Sequence, residues 1–111
     1  MNAIIIEDNE AKAMLIKCLL DPFEMSMDNV YTIAEAVNFI TTNQYNYIFL
    51  DHNLPDGKGT SYIDLIKQQQ YNAQVISISD DLEIAQHYKK LGYDHVLRYP
   101  FYQSLKQILE K

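Results

Sequence analysis

Tryptophan is absent from these 111 residues, cysteine occurs once, and glycine and proline occur three times each. A lone Cys18 excludes an internal disulfide, so the fold must rest on an apolar core rather than on covalent staples. Cys18 is read as a small core residue, in keeping with a reducing compartment. None of the three glycines (Gly57, Gly59, Gly92) follows the first apolar run, so a flavin-type phosphate cradle at a first helix N-terminus is missing. No apolar run approaches the ~20 residues needed to span a bilayer. Met1-Asn2-Ala3 lacks the basic start and apolar stretch of a signal peptide. Nine basic residues stand against fifteen acidic ones, a net charge of -6. That argues against direct contact with nucleic acid, whose phosphates call for a basic patch. The expectation is a soluble cytoplasmic protein with neither a membrane nor a nucleic acid as partner.

What is present suits one globular domain over residues 1–111, with 48% apolar and 22% charged residues. The hydrophobic period switches repeatedly between strand-like runs and helix-like stripes. Asn9 to Leu20 predicts a helix with Ala11, Leu15, Cys18 and Leu19 on its inner face, stopped by Asp21-Pro22. A short edge strand is expected in Glu24 to Met27 or a little later. Thr32 and Glu35 have capping-box spacing before a helix over Ile33 to Thr42, whose stripe is Ile33, Ala36, Val37 and Ile40. Tyr47 to Leu50 reads as the central buried strand, and Leu54 to Gly59 as a loop with turn chemistry. A helix from Thr60 to Gln70 is expected to turn Tyr62, Leu65 and Ile66 inward, with Gln68-Gln69-Gln70 a solvated end. Val75 to Ile78 is a strand. A helix opened by Asp80 and Glu83, again at capping-box spacing, runs to Leu91 and closes on Gly92. A strand over His95 to Arg98 and a helix over Tyr102 to Glu110 complete five βα repeats. This alternation predicts an α/β fold, a parallel sheet with helices on both faces.

Three of the apolar runs end in residues suited to a cation–phosphate site. Ala3 to Ile6 runs into Glu7-Asp8, Tyr47 to Leu50 into Asp51, and Gln74 to Ile78 into Ser79. Strand ends at the carboxyl edge of a parallel sheet converge on one crevice. Crowded carboxylates repel each other, by roughly 4 kcal/mol per pair at about 4 Å and an effective dielectric near 20. Mg2+, which prefers oxygen ligands, relieves that repulsion. Each acid also has a plainer reading. Glu7-Asp8 favours a helix N-terminus, and Ser79 could cap a helix. An acid directly after Ile48-Phe49-Leu50 is costly unless used. His52, His87 and His95 show no metal-ligand spacing and are read as surface or packing residues.

The whole chain resembles a response-regulator receiver domain of two-component signalling, the CheY-like family. The matching pieces are Ile-Ile-Glu-Asp-Asn at 5–9, Ile-Phe-Leu-Asp-His-Asn-Leu-Pro-Asp-Gly-Lys-Gly at 48–59, Val-Ile-Ser-Ile-Ser at 75–79 and Pro-Phe at 100–101. The resemblance implies a doubly wound, flavodoxin-like (βα)5 sheet of strand order 2-1-3-4-5. It implies Asp51 as phosphoacceptor and Ser79 as the hydroxyl that bonds a phosphoryl oxygen. It implies Mg2+ held by Asp8 directly, by Glu7 mainly through water, by Asp51 and by the backbone carbonyl of Asn53. It implies a sensor histidine kinase or phosphotransfer protein as donor and a signalling switch rather than a metabolic enzyme. If the chain is the full protein, output is expected through contact with a downstream protein at roughly Leu82 to Lys111, where Tyr88, Tyr93, Tyr99 and Tyr102 are expected to form an aromatic surface.

Three positions depart from the family pattern. Tyr99 stands where the family has lysine, Asp80 where a small residue usually follows the hydroxyl, and Val96 where an aromatic often acts as a rotamer switch. Tyrosine brings no charge at neutral pH, and Arg98 would need a bulge to replace the lysine. These departures keep open a degenerate receiver, a phosphorylation-independent interaction module. An aspartate-nucleophile phosphatase is disfavoured, because Asp51-His52-Asn53 lies on the third strand and has Asn in its last place.

Overall fold

The computed structural model of the chain describes residues 1–110. The apolar runs form strands because both of their faces are covered. β1 (Asn2–Ile6), β2 (Ser26–Val30) and β3 (Tyr47–Leu50) are followed by a short antiparallel hairpin, β4 (Asn53–Leu54) with β5 (Gly57–Lys58). β6 (Gln74–Ser77) and β7 (His95–Val96) complete a five-stranded parallel sheet in the order β2-β1-β3-β6-β7. With the hairpin set aside, this is the expected 2-1-3-4-5 order. The helices are α1 (Glu10–Leu20), α2 (Ile33–Thr42), α3 (Ile63–Gln69), α4 (Leu82–Gln86), α5 (Tyr88–Leu91) and α6 (Phe101–Leu109).

Successive strand residues point to opposite faces, and the core divides accordingly. Ala3, Ile5, Phe49 and Ile76 pack with Ala13, Ile16, Leu20, Leu105 and Ile108 of α1 and α6. Ile4, Ile6, Ile48, Leu50 and Val75 pack with Ile33, Ala36, Ile40, Ile63, Ile66 and Ile84 from α2, α3 and α4. This two-sided burial explains why the strands read as continuous apolar runs without alternation. No helix among the described residues is long and apolar enough to cross a membrane.

The start of α2 is secured twice. Thr32 Oγ1 accepts from Glu35 N at 3.1 Å, as the capping-box spacing predicts, and Glu35 Oε1 accepts from Tyr31 N at 3.1 Å. From the hairpin turn, Asp56 accepts from Ile33 N at 2.8 Å and Ala34 N at 3.0 Å. These bonds, the one to Ile33 foremost, hold the Asp56 carboxyl below its ordinary pKa.

Several expected faces are corrected. In α1 the buried residues are Ala13, Ile16 and Leu20, while Ala11, Leu15 and Cys18 are exposed and Leu19 is half-buried. In α3, Ile63 and Ile66 are buried, Tyr62 is half-buried and Leu65 is exposed. Helix residues before Ile63 form a 3-10 turn, Gly59–Tyr62. The helix expected to run to Leu91 is interrupted at His87, whose φ of -113° and ψ of 22° separate α4 from α5. Its cap is Asp81, which accepts from Glu83 N and Ile84 N, and not Asp80. Tyr93, expected on an aromatic surface, is buried. Leu82, Tyr99 and Tyr102 are exposed on the segment expected to meet a partner, whose last residue, Lys111, lies outside the described residues.

Gln70, expected in solvent, is a buried clamp. Its Oε1 accepts from Tyr45 N at 2.9 Å, and its Nε2 donates to Ile40 O at 2.8 Å and to Asn43 O. These bonds hold the chain between α2 and β3, the approach to the central strand. Gln70→Ala leaves a buried amide and carbonyls unpaired, and is expected to cost about 2–4 kcal/mol. Gln70→Leu, which keeps most of the volume, is expected to lose nearly as much. Urea unfolding of the three proteins checks both.

Candidate functional site

The register of β1 against β3 pairs Ile6 with Leu50. The next residue on each strand therefore stands beside its neighbour at the carboxyl edge, and these residues are Glu7 and Asp51. Backbone bonds extend the ladder through them, Glu7 N to Val30 O at 3.0 Å and Asp51 N to Ile6 O at 3.1 Å. Their side chains are buried, and Asp8 beside them is exposed. Carboxylate oxygens of Glu7, Asp8 and Asp51 lie within 4.8 Å of one another. A cavity of about 320 Å³ opens over them, lined also by Asn53 and Ser79. All five residues nominated from the sequence thus meet at one place.

Asp51 Oδ1 accepts from His52 N at 2.9 Å, which fixes the rotation of the carboxylate. Behind it, a side chain at Gly59 would overlap the carbonyl oxygen of Asp51, and Gly59 N donates to His52 O at 2.7 Å. Glycine there lets the following loop close tightly against the strand end. Ser79 Oγ accepts from Asp81 N at 3.1 Å and so retains its own proton for another acceptor. His52 Nδ1 lies 3.1 Å from Thr60 Oγ1 and His95 Nε2 2.7 Å from Gln74 Oε1, and neither histidine lines the acidic cavity.

Two features were missed in the sequence. The first is Lys12, one turn into α1, whose Nζ lies 3.5 Å from Glu7 Oε1, 3.8 Å from Asp51 Oδ1 and 3.5 Å from Asp80 Oδ2. Its signal was its position four residues beyond Asp8, on the helix that starts at the pocket. The cap of that helix is Asn9, whose Oδ1 accepts from Lys12 N at 3.0 Å. The second is Tyr93, whose buried hydroxyl has no hydrogen-bond partner. Burial, and next the charge of Asp51, raise its pKa above the ordinary value. Tyr99 does not line the acidic cavity. It is 85% exposed and packs edge-on against Phe101, ring centres 5.8 Å apart.

The pocket carries an electrostatic imbalance. Burial, then the Asp51 charge, push the Glu7 carboxyl up from 4.5 to about 7, while the Asn9 amide and Lys12 oppose the rise. Glu7 Oε2 accepts from Asn9 N at 3.3 Å, but Oε1 is buried without a hydrogen-bond partner. A carboxylate oxygen without a hydrogen bond, met by Lys12 only at ion-pair distance, among other hard oxygen donors and with no histidine or cysteine in the cluster, fits a cation such as Mg2+.

Residues 3–110 match the family model for the response regulator receiver domain. Over 109 residues the chain is 30% identical to the cell cycle transcriptional regulator CtrA of Caulobacter vibrioides, covering 94% of this chain and 46% of that protein. The chain spans between 10% and 46% of the lengths of the curated relatives it matches. A CheY-like response regulator receiver domain from Methylobacillus flagellatus superposes with a TM-score of 0.85 at 26% identity, covering 99% of this chain and 96% of that one. The response regulator TrrA of Thermotoga maritima, in complex with Mg2+–BeF, superposes at 0.84 with 15% identity over 98% of this chain and 96% of its own, a likeness of fold.

The raised Glu7 pKa makes stability depend on pH. Between 4.5 and about 7 the folded protein holds a proton at Glu7 that the unfolded chain has released. Stability therefore falls as pH rises through that interval and stays low above it. Glu7→Gln cannot ionise. At pH 8 without divalent metal it is expected to be more stable than wild type by on the order of 2 kcal/mol, and at pH 4.5 about equal. Urea unfolding at the two pH values checks this.

Proposed function

The chain belongs to the response regulator receiver domain family of two-component systems, and we propose on that footing that it accepts a phosphoryl group on Asp51 beside a bound Mg2+. Receiver domains are signalling modules rather than metabolic enzymes. The observation that carries the reading is the meeting of three carboxylates, one of their oxygens without a hydrogen bond, with the Ser79 hydroxyl on a single cavity.

In this reading an Asp51 oxygen attacks the phosphorus of a phosphohistidine on a sensor kinase or phosphotransfer protein. An O–P bond forms as the N–P bond breaks, and the donor imidazole keeps the electron pair. The His52 amide holds Oδ1, so the carboxylate faces its donor in one orientation. Ser79 turns its free O–H toward a phosphoryl oxygen. Asp8 and Asp51 would hold Mg2+ directly, Glu7 mainly through water, and Asn53 through its backbone carbonyl. Mg2+, when bound, offsets negative charge on the reacting groups. Mg2+ accompanies the BeF complex of TrrA, which supports this assignment. Output passes by protein contact through the surface from Leu82 onward, where Leu82 is 72% exposed.

A second reading, a phosphate-independent interaction module, draws on Asp80, whose carboxylate adds negative charge at the rim, and on Tyr99, which lies outside the cavity.

Millimolar Mg2+ is expected to shift the amide resonances of residues 7–9 and 51–54, and the shifts are expected to vanish in Asp51→Asn. Their absence in wild type counts against the metal site. Beryllofluoride with Mg2+ is expected to perturb the Asp51 pocket while leaving the region from Leu82 onward nearly unchanged, because Tyr99 offers no charged link to β7. A large response across α4 to α6 overturns that expectation. Partner binding that persists in Asp51→Ala favours the phosphate-independent module.

A further inference from the structure

We propose that Lys12, on α1, supplies the ammonium that pairs with a phosphoryl group on Asp51, which ties the phosphorylated site to the first helix. The proposal rests on the reading of Asp51 as acceptor and adds the residue that recognises the transferred group.

The geometry of Lys12 is that of a cation shared by several partners and bonded closely to none. Its distances to Glu7, Asp51 and Asp80 run from 3.5 to 3.8 Å. Those are ion-pair distances, longer than the 2.7–2.9 Å of a charge-assisted N–H···O bond. A phosphoryl group on Asp51 would carry oxygen atoms into the 3.8 Å gap between Asp51 Oδ1 and Nζ. The side chain is held in place to meet them. Lys12 is 20% exposed, and it lines both the acidic cavity and an adjoining groove of about 390 Å³ with Ile78, Leu97 and Phe101. Its alkyl stem therefore has apolar company while its head stays over the carboxylates.

Neither Lys58 nor Arg98 lines the acidic cavity. Lys58 Nζ donates to Asn53 Oδ1 at 2.6 Å. Arg98 is exposed, its backbone bound to Ser104 Oγ at 3.0 Å. Asp80 becomes intelligible as the partner Lys12 gives up. The Asp80 carboxylate is 93% exposed, so water readily replaces the lysine there. Transfer of the ammonium from Asp80 to the phosphoryl group moves charge toward the buried side of the pocket, where it is less screened.

Two opposite effects separate this role from a structural one. Lys12 both attracts a phosphoryl group and competes with a divalent cation for the same carboxylates. At saturating Mg2+, with amide shifts at residues 51–54 as readout, Lys12→Met is expected to weaken beryllofluoride binding about tenfold or more. The same variant should bind Mg2+ alone as tightly as wild type or more tightly. Lys12→Arg, which keeps the charge, should stay within a few-fold of wild type for beryllofluoride, and Asp80→Asn should bind it more tightly. The largest wild-type shifts outside the pocket should fall on α1, from Lys12 to Ile16. If Lys12→Met binds beryllofluoride like wild type, the role of Lys12 is overturned and the Asp51 reading stands. If Lys12→Met loses Mg2+ and beryllofluoride together, the residue is structural and the proposal fails. A wild type that binds Mg2+ but never beryllofluoride overturns both readings.

Discussion

Mutual repulsion of Glu7, Asp8 and Asp51 is the constraint on which the site depends, and the sheet imposes it. The Ile6–Leu50 pairing sets Glu7 beside Asp51, and a one-residue slip would send every side chain of β1 to the opposite core layer, so the acids are held together. Burial of Ile4, Ile5, Ile6, Phe49 and Leu50 maintains the crowding at the carboxyl edge. Two devices relieve it, a proton on Glu7 and the ammonium of Lys12, and in the reading proposed above a divalent cation would be a third. Each acts on the same negative field, so strengthening one weakens the demand for the others. The site is therefore a charge balance, and in the reading proposed above a phosphoryl group on Asp51 would redistribute it.

The sheet was legible because a parallel strand buried on both faces writes itself as a run of Ile, Val, Leu and Phe. Its carboxyl ends named Glu7, Asp8, Asp51 and Ser79, the resemblance added Asn53, and the structure brings all five to one cavity. What the sequence hid was rotation. The run Glu10 to Leu20 holds apolar residues on more than one side, so Ala11, Leu15 and Cys18 fit a helical stripe as well as Ala13, Ile16 and Leu20 do. Only the position of the sheet decides between them. The same rotation concealed Lys12, since its pointing direction follows from which face of α1 is buried. Asp80 was mistaken for the cap because Asp81 competes one residue later. The turn closed by Ser79 Oγ on Asp81 N gives the role to Asp81.

The two flanks of the acidic cavity differ in how firmly they are built. On one side α1 buries Ala13, Ile16 and Leu20 and packs beside α6. On the other, α4 buries Ile84 alone, α5 buries no residue and β7 has two residues. Segments with few buried side chains open most readily. A phosphoryl group on Asp51, as proposed above, would meet a firm helix carrying Lys12 and a looser flank that puts no cation on the cavity. In the reading proposed above, α1 senses the group at the pocket, while the looser flank provides deformable surface for a partner.

Asp56 has a consequence for how such a chain is recognised. Its two oxygens close on the first amides of α2, not on the acidic cavity. The stretch Leu54-Pro55-Asp56-Gly57, part of the most distinctive motif in the sequence, therefore answers to a helix start. A chain whose Asp51 had lost all chemistry would still use that carboxylate at the start of α2, beside the Thr32 cap. Persistence of this motif attests to the architecture, and Glu7, Asp8, Lys12 and Asp51 must be weighed separately when the question is reactivity.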